Sequence, residues 1–305
     1  MSATISPAEV SPHLATTEVI FNKLLVAVDF TAQTQQVLKT AVTLATCFNA
    51  ELLFVHAAYP TVYGAGMEFV PADAYDISLE AAQSKLADLI ASEPALQQIK
   101  HREIVEYAST LELVQRTVEN EKVDLVIAGS HGARGLERLA LGSVAETMLR
   151  HLHAPVMIVG PHATSFTCPF RSVLFGSTLK LTELRAAQYA SGLAEKFHGK
   201  LTLLHVIEDG PATGIELALV EQRVKAELMR LLPSDVDLYS KAEVRIAYGK
   251  AAQEITSVAR DEGASVIVCG VAENARLADH SLGSALAGVI REAHCPVLCV
   301  RSHSA

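Results

Sequence analysis

Short apolar runs alternate with amphipathic stretches along the whole chain. Leu24–Val28 is an uninterrupted apolar run between Lys23 and Asp29, which predicts a strand buried on both faces. Thr34–Phe48 places Val37, Ala41, Leu44 and Phe48 at helical spacing, so a helix follows. Glu51–His56 predicts a second strand, and residues 59–76, rich in Gly, Pro and Tyr, a long loop. Further on, Ile77–Leu89 predicts a helix, Glu103–Tyr107 a strand, Leu111–Asn120 a helix and Leu125–Ala128 a strand. Ser143–His151 predicts a helix and Val156–Val159 a last strand. Strict alternation without a hairpin signal implies parallel strands, right-handed crossovers and helices on both faces. Pro155 and Pro296 each open a final strand, where a missing N–H is expected at a sheet edge.

The pattern then repeats. LLVAVDFT opens the stretch Leu24–His56 and LLFVH closes it, as VLFGSTLK and LTLLH bound Val173–His205. His56 and His205 are 149 positions apart, as are Leu44 and Leu193. DLVIAG ends at Gly129 and SVIVCG at Gly270, an offset of 141 that Pro155 and Pro296 keep. The expected organisation is an extension over residues 1–20, a first domain over 21–160, a linker over 161–170 and a second domain over 171–305.

Composition narrows the function classes. Half of the residues are hydrophobic and 19% are charged, which excludes disorder as the main state. The formal charge of −9 argues against coating a nucleic acid, because counterion release needs clustered Lys and Arg. No apolar run approaches the ~18 residues of a membrane span, and the first twenty residues lack the pattern of a secretory signal, so a cytoplasmic protein without membrane partners is expected. Five cysteines with no CxxC argue against a disulfide framework or zinc ribbon, and Cys295 and Cys299 read as small core residues.

Candidate chemistry concentrates after the fourth strand, in GSHGARGLERLALGSVAE, Gly129–Glu146. Gly129, Gly132 and Gly135 let backbone approach a ligand closely. Ser143 and Glu146 have the spacing of a capping box at the start of a helix, whose free N–H groups suit phosphate. His131, Arg134 and Arg138 are candidate phosphate contacts, though an ordinary turn and cap would carry the same residues.

Gly129-x2-Gly132-x9-Gly142-Ser143 resembles the signature of nucleotide-binding universal stress proteins, and VAVDF (Val26–Phe30), FVH (Phe54–His56) and APVMIV (Ala154–Val159) accompany it in order. The repeat extends this resemblance over nearly the whole chain after residue 20. What it implies is an α/β fold of two tandem doubly wound domains, each a five-stranded parallel sheet of order 3-2-1-4-5. It also implies an ATP site in the first half. There Asp29 matches the acidic residue near the adenosine, and Ala27 and Ala57 match positions lining the adenine. Ala128 and Gly129 would lie beneath the ribose, and Gly132, Gly142, Ser143 and Val144 match the phosphate cradle. The family typically has Pro and Val where Ala27 and Ala57 stand. Without the resemblance, Asp29 reads equally as a solvated turn or a cap before Thr34. Mg²⁺ is a candidate companion of the nucleotide, held by Asp29 through water. The family usually dimerises through last-strand edges; here the two halves are expected to make that pairing within one chain, with a homodimer a weaker expectation.

The second half departs from the pattern. Gly270-x2-Glu273-x9-Gly283-Ser284 puts Glu273 at the second glycine, Thr178 stands where Asp29 stands, and Ala287 replaces Glu146. Three losses predict a half that no longer binds ATP in the family manner. His56 and His205 read as hydrogen-bonded core residues, and His151-x-His153 as a helix end rather than a metal site. Tyr59, Tyr63, Phe69 and Tyr75 form a lid, an interface or scattered loop aromatics, and Ile215–Leu232 reads as a packing helix. Three functions remain open: an ATP-binding stress-response protein acting on an unknown protein partner, an interaction module without nucleotide, and a slow ATPase. No Walker lysine or catalytic triad spacing supports the last.

Overall fold

The computed structural model describes residues 18–58, 72–130, 141–164, 170–208, 215–233, 241–271 and 282–302. In the first half, β1 (Lys23–Ala27), α1 (Thr34–Phe48), β2 (Glu51–Ala57), α2 (Ala72–Ala91), β3 (His101–Glu106), α3 (Thr110–Glu121), β4 (Leu125–Gly129), α4 (Ser143–His151) and β5 (Val156–Val159) follow in order. The second half repeats them as β6 (Ser172–Gly176), α5 (Leu184–Lys196), β7 (Lys200–Ile207), α6 (Ile215–Arg230), β8 (Glu243–Tyr248), α7 (Ala251–Asp261), β9 (Val266–Val271), α8 (Leu282–Glu292) and β10 (Val297–Arg301). The expected loop over 59–76 is shorter than its composition suggested, because α2 begins at Ala72. Residues 59–71, with Tyr59, Tyr63 and Phe69, lie outside the described residues.

The ten strands among the described residues form one sheet, β3-β2-β1-β4-β5-β10-β9-β6-β7-β8. Each half has the order 3-2-1-4-5, and the halves join where β5 and β10 pair antiparallel through Val156–Ile158 and Val297–Cys299. This corrects the edge placement of the prolines. Pro155 and Pro296 precede strands bonded on both sides, and their carbonyls accept from Val126 and Ile267. Each stands at the start of its strand, a position where a residue without an N–H is tolerated, and its carbonyl still accepts.

The central strands are apolar on both faces because both faces are covered, while the edge strands β3 and β8 carry charged, exposed residues. Leu24 and Val26 of β1 face one core with α1, α2, α5 and α6, while Leu25 faces a second with α3, α4, α7 and α8. Each core runs through both halves. Phe48 of α1 packs against Phe170 and Phe197 at centroid distances of 6.0 and 5.3 Å, and Phe21 stacks on Tyr189. On the other side of the seam Gly160 is required: a Cβ there would stand 2.2 Å from the Ile290 carbonyl oxygen.

The amino-terminal ends of the strands carry ionic clusters. Glu121 bonds Lys23 and Arg102 at 2.9 and 2.6 Å, and Glu51 bonds Arg102 and Lys100 at 2.9 and 3.1 Å. Arg245–Glu262, Lys200–Glu262 and Lys200–Glu243 answer them in the second half at 3.0, 3.1 and 3.0 Å. The Arg102–Glu51 pair reappears with its charges exchanged as Glu243–Lys200. These clusters occupy the end of the sheet opposite to where ligands bind in such folds.

Candidate functional site

The switch point of the first half lies between β1 and β4, whose Val26 and Ile127 are partners in register. This brings Ala27, Ala128 and Gly129 side by side at the carboxyl ends, with Ala57 ending the neighbouring β2. Ala57 and Ala128 are buried, and Ala27 packs against the same core. Their small side chains leave an apolar floor.

After β1 the chain turns sharply. Phe30 adopts the left-handed region at φ 55°, and its ring lies 4.5 Å from that of His56. His56 Nδ1 bonds the Val28 carbonyl at 2.8 Å, and His205 repeats this with Ser177 at 2.9 Å. Both histidines tie a second strand to the preceding turn. The half-buried Asp29 is the polar centre of the turn. Its Oδ1 accepts from the Thr31 N–H at 3.0 Å, the Thr31 hydroxyl at 2.8 Å and the Thr34 hydroxyl at 3.0 Å. All three donors converge on one oxygen, and none among the described residues uses Oδ2. Asp29 is therefore both the turn residue of the bland expectation and a carboxylate with an acceptor to spare.

The opposite wall is built from β4 and α4. Ser130 is fully buried; its N–H donates to Val159 at 3.1 Å, and its carbonyl accepts from the Gly142 N–H at 2.8 Å. Gln33, at the start of α1, exchanges side-chain bonds with Ser130 at 3.3 and 3.4 Å. One polar chain thus runs from the Asp29 turn through Gln33 and Ser130 to Gly142 at the mouth of α4. Nothing in the sequence pattern singled out Gln33; its counterpart 149 positions on is Thr182.

The capping box does not form. Gly142 is the N-cap (φ −61°, ψ 141°), so Ser143 is already helical and one position too far along to cap. Glu146 turns instead to Arg150, at 2.7 Å. Ser143 and Val144 are exposed on the first turn of α4, and a helix start without a side-chain cap keeps N–H groups and the positive dipole end for an outside acceptor. His131, Gly132, Arg134 and Arg138 lie outside the described residues.

In the second half the same turn is filled. Leu179 repeats the left-handed conformation of Phe30 at φ 65°. Thr178, in the place of Asp29, donates its N–H and hydroxyl to the carboxylate of Glu183, and the Ser177 hydroxyl donates to it at 2.6 Å. Glu183 is 5% exposed and uses both oxygens. Like Gln33, Glu183 carries no motif in the sequence, but the 149-residue offset marks it, since it stands where the first half has Thr34. Glu273 lies outside the described residues.

Cys269, Cys295 and Cys299 are buried in the core, where burial pushes the first two thiols up to about 12. No helix among the described residues is long and apolar enough to cross a membrane.

The model of the universal stress protein family matches this chain twice, over residues 21–160 and 169–301. A universal stress protein of Mycolicibacterium smegmatis is 23% identical over 290 residues, spanning 91% of this chain and 96% of that one. Another, of Methanocaldococcus jannaschii, is 27% identical over 154 residues, spanning 47% of this chain and 84% of its own length. The crystal structure of a universal stress protein from Archaeoglobus fulgidus superposes with a TM-score of 0.67 at 21% identity, covering 93% of this chain and 97% of that chain.

Proposed function

The chain belongs to the universal stress protein family, and from that premise we propose that its first half binds ATP and acts in a stress response by changing its contacts with a protein partner when the nucleotide is bound. The spare acceptor of Asp29, on a turn tied through Gln33 and Ser130 to the mouth of α4, carries this reading. Ribose hydroxyls are donors and suit Oδ2. Adenine suits the floor of Ala27, Ala57 and Ala128. The triphosphate suits the start of α4 at Gly142, Ser143 and Val144, with Gly132 and the candidate cations His131, Arg134 and Arg138 supplied by the loop between. The chain's own part is to bind and orient; no step of hydrolysis is assigned to it.

Purified protein, denatured and examined by mass spectrometry, should release an adenine nucleotide. Gly132→Glu, which copies the second half, should abolish ATP binding while the fold survives. No released nucleotide, together with no heat on titration with ATP, would leave an interaction module that works without one.

A further inference from the structure

Each half places one carboxylate in the turn after its first strand, but from opposite sides. In the first half it comes from the strand end, Asp29, and Thr34 five residues on donates to it at 3.0 Å. In the second the strand end offers the hydroxyl, Thr178, and Glu183 five residues on offers the carboxylate, at 2.7 Å. The exchange alters what remains over. Among the described residues, the half-buried Asp29 spends one oxygen and the buried Glu183 spends two. Its Oε1 accepts from the Thr178 N–H and hydroxyl, and its Oε2 from the Ser177 hydroxyl and the shared Thr178 N–H at 3.0 Å. The Ser177 hydroxyl is itself held by the Leu179 N–H at 3.0 Å.

The side chain also takes up room at the switch point. Gly270 ends the core of β9 at the position of Gly129, and a Cβ on Gly270 would stand 2.7 Å from Cγ of Glu183. The stem of Glu183 therefore lies flat against the strand end. A glycine is needed there to admit it.

We propose that the Ser177 hydroxyl and the Thr178 N–H and hydroxyl form an anion site in the second half, with the Leu179 N–H orienting Ser177, and that Glu183 fills it as a built-in ligand. Donors that converge from one turn suit an anion, and here the anion is covalently supplied. The second cleft is thus self-liganded: an internal carboxylate stands at the switch point, where a ligand from solution would sit. This stands apart from the nucleotide reading of the first half and survives its failure.

The test is chemical rescue. Truncation by Glu183→Ala leaves the Ser177 hydroxyl and the Thr178 N–H and hydroxyl without their acceptor, and formate or acetate can return the missing carboxylate. Thermal melts of wild type and variant are compared in sodium formate, sodium acetate and sodium chloride at equal ionic strength. Formate at about five times its Kd should raise the melting temperature of the variant by roughly 2–4 °C, saturably, over chloride. Wild type should show no such difference. Glu183→Thr, which installs the residue that the first-half turn already accommodates, should respond in the same way and serves if the alanine variant does not fold. Glu183→Gln, which keeps the site full, should not respond. No carboxylate-specific rise in either truncated variant, or an equal rise in wild type, would overturn the proposal.

Discussion

Asp29 separates two roles that a single substitution usually confounds. Its Oδ1 holds the turn through three bonds of 2.8–3.0 Å, while Oδ2, which no donor among the described residues takes, is the acceptor proposed for the ligand. Asp29→Asn keeps a carbonyl oxygen at Oδ1 and replaces the spare acceptor with a donor. The turn survives, but a ribose hydroxyl loses its charged acceptor. Hydrogen bonds to charged groups contribute about 1.5–3 kcal/mol, so ATP should bind roughly 10- to 150-fold more weakly. The melting temperature should stay within about 2 °C of wild type. Asp29→Ala removes both oxygens and strands the Thr31 and Thr34 donors, at a cost of about 1–3 kcal/mol in stability besides the same loss of affinity. Calorimetric titration with ATP and thermal melts read the two effects separately. Unchanged affinity in the Asn variant would remove Asp29 from the site, and unchanged stability in the Ala variant would refute the account of the turn.

Other outcomes follow from the fold. Phe170 is fully buried between Phe48 and Phe197 at the seam, so Phe170→Ala should cost about 3–5 kcal/mol in a urea titration. A loss below about 1 kcal/mol would show that the aromatic seam does not hold the halves together. Hydrogen bonds from Arg102 and Lys23 hold Glu121 down to about 2, below its ordinary value near 4.5. A lowered carboxylate stabilises the fold above its unfolded pKa, and that contribution is lost as pH falls from about 4.5 to about 2. Arg102→Met should therefore flatten the acid limb of a pH–stability profile, and a parallel limb would contradict the assignment.

Much of the fold is legible in the sequence because a sheet covered on both faces writes its strands as plain apolar runs. The spans of α1, α4 and β5 follow directly from the periodicity of Thr34–Phe48, Ser143–His151 and Val156–Val159. Where a boundary depends on tertiary context, the pattern is silent. Composition made residues 72–76 look like loop, yet they begin α2. Pro155 suggested an edge because the partner strand, β10, is 140 residues away in the chain. The capping box had the right spacing one residue out of phase, since Gly142 can take the extended cap conformation ahead of Ser143. In the site, Asp29, Ala128 and Gly142 were reachable by motif. Gln33 was not, because its partner Ser130 lies 97 residues away, and Glu183 was marked only by the repeat offset and by no motif.

A cleft open beside Asp29 and a second closed by Glu183 leave room for one nucleotide, and the stoichiometry of ATP binding to the full-length protein tests this most directly. Calorimetric titration should give one nucleotide per chain. Two per chain would contradict the closure by Glu183, and none would contradict the open cleft beside Asp29.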